Sequence, residues 1–263
     1  MPATLCKNCN QALDGNFCKH CGQAAKAGRI NFQFLWDEIQ DKILNYDKGI
    51  INTSKELFVR SGHSIREYIA GKRVTHIKPI ASVFILIGVL SLLYNHFHIN
   101  TFNTGAWRDF TAGFNGEPGE LKIDIQVLNE FKNNNFELVE LFYLPLYAFA
   151  SYLVFKKYKY NYVEHLVLNA FLTAQKLIIA LLLFPLFYIY NNAPEKLDLV
   201  VAFDSVLGIV IVTRGYITFF NKDKNIRVIW KTLLVYLLLG VEVLVFFALI
   251  IFMSAIFIAG GHK

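Results

Sequence analysis

The sequence predicts an all-α integral membrane protein, a bundle of about five transmembrane helices with a small N-terminal zinc-ribbon module. Three observations carry this. Apolar residues make up 55% of the 263-residue chain and charged residues only 17%, against about 25% charged in soluble domains. Long apolar runs recur after residue 78. All four cysteines fall between residues 6 and 21, in two C-x-x-C pairs. With 24 Phe, 13 Tyr and 3 Trp, a soluble globule of this length could not bury its apolar side chains. A disordered chain, a soluble coiled coil and a disulfide-stapled secreted domain are excluded on the same grounds. No cleavable signal peptide is visible, because the first long apolar run starts near Pro79, after a polar region far longer than a signal n-region.

Residues 1–28 form the Cys-rich module. Cys6-Lys7-Asn8-Cys9 and Cys18-Lys19-His20-Cys21 each place two thiolates on a tight knuckle. Together they can surround one tetrahedral Zn²⁺ with four sulfurs at about 2.3 Å. Gly15 suits the turn between the pairs and Gly22 the turn after the second. So short a module buries no core, and the metal supplies its folding energy. His20 reads as a solvated side chain. Four thiolates close the coordination sphere, so a structural metal is expected.

Residues 29–78 read as amphipathic, basic, cytoplasmic or interfacial helices. Asn31 can cap a helix with Phe32, Leu35, Trp36, Ile39, Ile43 and Leu44 on one face. Thr53-x-x-Glu56 and Ser64-x-x-Glu67 fit capping boxes, with a stop at Gly71. Between Arg60 and Lys78 lie five basic residues against the single acid Glu67. Arg66, Lys72, Arg73 and Lys78 are the candidate contacts to anionic membrane lipid. The alternative is a helical subdomain packed on itself, with a solvated basic face.

Residues 79–263 form the transmembrane domain, with spans over about 79–97, 138–155, 165–190, 198–220 and 229–258. A hydrocarbon core of about 30 Å needs about 20 residues. The fourth span is the weakest, interrupted by Asp204 and Arg214. The loops alternate in charge. Lys156, Lys157 and Lys159 follow the second span, and Lys222, Lys224, Arg227 and Lys231 surround the link to the fifth. Residues 98–137 hold three basic against six acidic, and only Lys196 lies between spans three and four. This predicts a cytoplasmic N-terminus and an outer C-terminus. The net charge of +6 is thereby assigned to the cytoplasmic membrane face, and no nucleic-acid partner is expected.

The cysteine pattern with Phe17 and Gly22-Gln23 resembles a bacterial multi-pass membrane protein family of unknown function that carries an N-terminal zinc ribbon. Further motifs fit: Arg29-Ile30-x-Phe32, Asp47-Lys48-Gly49-Ile50 with Thr53, and Arg66-Glu67-Tyr68-x-x-Gly71-Lys72-Arg73 before Lys78-Pro79. Tyr162-x-Glu164-His165 and Arg214-Gly215-Tyr216 follow. The resemblance implies a zinc ribbon, several spans and the bacterial cytoplasmic membrane. It implies no established activity.

Ionisable residues inside spans are costly unless paired or hydrated. Lys176, Asp204 and Glu242 fall at roughly matched depth, as an intramembrane polar cluster. It reads as a salt bridge holding the bundle, or as a polar pathway between helices. Glu164-His165 reads more simply as a helix-start acid beside an interfacial histidine than as a metal or catalytic pair. No H-E-x-x-H, G-x-S-x-G, Walker A or G-x-G-x-x-G sequence is present. Three functions remain: a membrane scaffold or sensor whose ribbon recruits a cytosolic protein, a small transporter or channel, and, as a more remote reading, a lipid-modifying enzyme.

Overall fold

The computed structural model describes residues 5–25, 28–35, 49–74, 76, 78–99 and 136–260. The expected outer-loop turns, Trp36, Ile39, Ile43 and Leu44 lie outside the described residues. The chain runs from the cysteine module into α1 (Gly49–Ala70), α2 (Pro79–His96), α3 (Phe136–Val154), a single 3₁₀ turn (Lys156–Tyr158), α4 (Tyr162–Tyr190), α5 (Pro194–Phe219) and α6 (Asn225–Gly260). Each of the five long helices after residue 78 covers one of the apolar runs to within about four residues at each end.

Among the described residues, three helices are long and apolar enough to cross a membrane: α2, α4 and Asn225–Val245 of α6. The apolar stretch Leu141–Val154 in α3 is shorter. α5 carries Glu195, Lys196, Asp198, Asp204 and Arg214, which dilute its apolar character.

α4 is the central helix, packed against α1, α2, α3 and α5. Its first half, from Val163 to Gln175, is buried almost without a break. A helix apolar on every side is expected to sit in the middle of a bundle. α5 closes on it by presenting Gly208 and Gly215, seven residues apart on one face. A Cβ at Gly215 would collide with the Leu172 side chain of α4.

α1 bends at Arg60, where φ −145° and ψ 47° leave the helical region. Leu57 before the bend and Ser61, Ser64, Ile65 and Tyr68 beyond it are buried, and the helix lies against α4 and α5. Tyr68 meets Phe171 of α4 edge-on at 5.2 Å. The apolar face of α1 is therefore taken up by protein. Gly71 ends the helix as expected, with φ +114°. Ser64 does not cap. It lies within the helix and donates its hydroxyl to Glu56 Oε2 at 3.1 Å.

The helix ends sort into two layers. At one end the segment after the cysteine module, the 155–161 link and the 220–224 link lie together, joined by Arg29 to the Lys159 carbonyl at 2.8 Å and by Lys157 to Asp223 at 2.6 Å. At the other end Asn191 donates to the carbonyl of His98 at 3.1 Å, and Phe97 meets Tyr188 at 5.1 Å. The two lysine-rich links therefore share the end of the bundle that bears the cysteine module.

Candidate metal centre and the polar seam beneath it

The two cysteine knuckles repeat one geometry. In the first, the Cys6 N–H donates to Gln11 O and the Asn10 N–H to Cys6 O, at 2.8 and 2.9 Å. In the second, Cys18 N–H donates to Gln23 O and Gly22 N–H to Cys18 O at the same distances. The residue after each second cysteine turns left-handed, Asn10 at φ +59° and Gly22 at +74°. Asparagine tolerates that region, so Asn10 fills the role Gly22 fills in its twin. Gly15 turns at φ +101° between the knuckles.

This symmetry brings the thiols together. Cys6 Sγ lies 3.6 Å from Cys21 Sγ, and Cys9 Sγ 3.5 Å from Cys18 Sγ. All four sulfurs fall within 4.8 Å of one another, and none is in a disulfide. Sulfurs at about 2.3 Å from a tetrahedral centre are about 3.8 Å apart. The donor set thus fits one metal ion. Backbone N–H groups of Cys21 and His20 aim at Cys18 and hold its thiol down to about 6. The Cys9 N–H lowers Cys6 in the same way. Both shifts favour the thiolate that a metal requires, whereas Cys9, despite the Gln11 N–H, is pushed up to about 12 by burial and the three neighbouring thiols.

The module is docked on the bundle. Gln23 is buried, and its Oε1 accepts the Arg73 backbone N–H at 3.3 Å. Arg73 donates to the Gly28 carbonyl at 2.8 Å and lies over the Phe34 ring, 4.2 Å from its centre. Asn31 caps Phe32–Leu35 as expected, its Oδ1 accepting the Phe34 N–H at 2.8 Å. Ile30 is fully buried in the main core, and its carbonyl accepts from Asn161 at 3.0 Å.

Arg29 makes the strongest tie. Its guanidinium reaches Glu164 through two parallel bonds, Nε to Oε1 and Nη2 to Oε2, both 2.8 Å. Glu164 also closes a capping box at the start of α4. The Asn161 side chain accepts the Glu164 N–H, and Glu164 accepts the Asn161 N–H, each at 2.7 Å. The helix-start role expected for Glu164 is present.

His165 is enclosed by protein. It is 1% exposed, walled by Tyr152, Tyr160 and Phe220. Its Nδ1 lies 3.0 Å from Ser151 Oγ in α3. Asn169, one turn along α4, donates to Ser151 Oγ at 2.9 Å and to the His165 carbonyl at 2.8 Å. Tyr216 in α5 donates its hydroxyl to Asn169 Oδ1 at 2.7 Å. The seam therefore joins α3, α4 and α5 through four buried side chains. Ser151 is wholly buried, which leaves no room for a substrate at its hydroxyl. Among the described residues the cysteines are the one group of metal-type ligands close enough to share an ion.

The basic residues expected at lipid have protein contacts. Arg66 donates to the carbonyls of Thr218 and Phe219 at the end of α5. Lys72 reaches Glu67 at 3.3 Å, and Arg73 joins the cysteine module to Tyr68 and Phe34. Lys78 stands extended immediately before Pro79, which opens α2.

Of the intramembrane cluster, Lys176 and Asp204 lie on adjoining turns. The Lys176 stem passes over Gly208, four residues beyond Asp204, and a Cβ there would sit 3.3 Å from Lys176 Cε. The Lys176 ammonium lies 5.6 Å from the centre of the Tyr147 ring. Both carboxylate oxygens of Glu242 are buried and neither has a hydrogen-bond partner among the described residues.

Residues 47–91 match a family described only as a protein of unknown function, DUF3667. The match covers α1 and most of α2. No curated protein and no solved structure matches the chain. The sequence marks Glu164 and Tyr216 by their motifs but carries no sign of the partnership of Asn169 with Ser151 and Tyr216. It joins residues 18 and 47 positions apart, and single polar residues in apolar helices carry no periodic signal.

Proposed function

We propose that this protein is a multi-pass membrane scaffold or sensor of the bacterial cytoplasmic membrane. Its ribbon, held by one structural Zn²⁺ on Cys6, Cys9, Cys18 and Cys21, recruits a cytosolic protein. Arg29 carries the reading. It follows the last cysteine by eight residues and ends in a bidentate pair with a buried carboxylate at the start of the central helix. An event on the ribbon therefore has a direct mechanical route to α4. Four thiolates at tetrahedral spacing favour Zn²⁺, and with no open position the ion holds structure rather than performing chemistry. In this reading all five long helices span the bilayer, with the ribbon end in the cytoplasm.

Metal analysis of the purified full-length chain should give one zinc per chain, lost in Cys18→Ser/Cys21→Ser. Crosslinking in native membranes should capture a cytosolic protein with the wild type and not with that variant. An identical set of captured proteins from both would end the recruiting role. No zinc in the wild type would end the metal assignment.

A small transporter or channel is the second reading, favoured by the buried carboxylate of Glu242 in α6, which has no hydrogen-bond partner among the described residues. Flux through reconstituted vesicles that falls in Glu242→Gln, with the ribbon variant unaffected, would select it over the scaffold.

A further inference from the structure

One corner of the ribbon end gathers charge that the ribbon and the seam do not use. Asp223, in the link before α6, has a side chain only 8% exposed. Lys157 from the 3₁₀ turn reaches its Oδ2 at 2.6 Å and Lys231 reaches the same oxygen at 2.9 Å. Arg227 lies 3.4 Å from Oδ1. The lysine contacts hold the Asp223 carboxyl far below the ordinary carboxylate range, and Asp223 in turn raises Lys157. Counted at their formal charges, three basic side chains around one carboxylate leave two positive charges unmatched. Those charges face outward. Lys157 and Arg227 have side chains 51% and 59% exposed, over a carboxylate beneath them.

An apolar track begins at the same place. α6 exposes Ile226, Trp230, Leu233, Leu237, Val241 and Leu244. Steps of three and four residues put these side chains on one helix face. Arg227 and Lys231 each follow a member of that track by one residue, so the cations border its first turns. Trp230 is 67% exposed, and tryptophan favours the boundary between headgroups and acyl chains. A guanidinium fork beside ammonium groups matches a phosphate in both charge and shape.

We propose that this corner binds the phosphodiester headgroup of an anionic phospholipid, with Lys157 and Arg227 on the phosphate, Asp223 as the positioning residue, and an acyl chain along the Ile226–Leu244 track. The inference rests on α6 spanning a bilayer. It concerns residues separate from the basic stretch between Arg60 and Lys78, where Arg66, Lys72 and Arg73 are engaged with protein.

The test uses the full-length chain in detergent, titrated with phosphatidylglycerol, phosphatidylcholine or inorganic phosphate and followed by thermal shift and native mass spectrometry. Phosphatidylglycerol should bind and stabilise, and the other two should not at equal concentration. Arg227→Ala should weaken phosphatidylglycerol binding about fivefold. Lys222→Ala/Lys224→Ala removes two exposed charges outside the Asp223 cluster and should weaken it less. Asp223→Asn adds a net positive charge and should nevertheless weaken binding, because the cations lose their anchor. Tighter binding in Asp223→Asn, or a larger loss in the double lysine variant than in Arg227→Ala, would reduce the site to diffuse attraction and overturn it. So would an equal response to phosphatidylcholine or to inorganic phosphate. Release of the wild-type chain from membranes by alkaline carbonate would instead overturn the spanning of α6, a failure distinguishable from that of the site.

Discussion

Arg29→Ala should loosen the ribbon from the bundle while leaving its metal bound. The magnitude follows from the two ends of the pair. Breaking a fully buried ion pair costs about 3–5 kcal/mol, and a fully exposed pair is worth about 0–1 kcal/mol. Here the Glu164 side chain is 4% exposed and that of Arg29 60%, so water screens one side only. Glu164 also keeps the Asn161 N–H, which satisfies part of its charge. About 2 kcal/mol is the expected loss, or roughly 4–8 °C in Tm for a domain of this size. Glu164→Gln should cost a similar amount. The double variant should cost about as much as either single change, because the lost interaction is shared. The assay is thermal unfolding in detergent, with zinc content measured alongside. Additive losses across the cycle would show that the two side chains act separately, and the mechanical route from ribbon to α4 would fall. Zinc loss in Arg29→Ala alone would mean that the ribbon depends on the bundle to fold.

Three further outcomes follow from the contacts described. Gly62 approaches the backbone of Thr218 and Phe219, where an added Cβ meets atoms that cannot move aside, whereas at Gly215 it meets the flexible Leu172 side chain; Gly62→Ala should therefore lower Tm more than Gly215→Ala, and the reverse order would place the α1–α5 contact wrongly. Burial pushes His76 below its ordinary value of about 6.5, against the pull of Glu56 at 3.2 Å, so the stability it contributes is whole above that pH and is lost as pH falls from there toward the lower folded value. Amide exchange across residues 61–83, corrected for intrinsic rate, should quicken at pH 5.5 relative to 7.5 in the wild type and respond less in His76→Gln; an unchanged pH response in the variant would exclude His76 as the cause. Single cysteines at Asn115 and at the C-terminus should react with an impermeant thiol reagent from outside, and cysteines at Lys157 and Lys224 should react only after the membrane is opened; protection of the C-terminus would remove one span from the five.

Several features were decided by the sequence alone. The five long helices follow from long apolar runs, the fourth of them interrupted by Asp204 and Arg214, because in apolar surroundings such a run satisfies its backbone polar groups as helix. The metal-type cysteine cluster follows from two C-x-x-C spacings, since each knuckle fixes its own pair of thiols locally. The caps at Asn31 and Glu164 and the stop at Gly71 were legible for the same reason, as each depends on neighbours within four residues. Tertiary structure decided what those elements meet. Arg66, Lys72 and Arg73 read as a lipid-facing patch in the sequence, yet their contacts lie with the end of α5, Glu67 and the ribbon segment, because the buried stripe of α1 sets Arg66 against α5 and the Gly71 turn brings Lys72 and Arg73 back over Glu67 and the ribbon segment. His165 read as interfacial, yet packing of α3 and α5 on α4 buries it beside Ser151 and places Asn169 against Tyr216. Asp223 gave no sign in the sequence of drawing Lys157 and Lys231 onto one carboxylate. Periodicity reports which face of a helix is apolar. It carries no record of which helix will cover that face, and every contact that joins the ribbon, the seam and the charged corner spans that missing step.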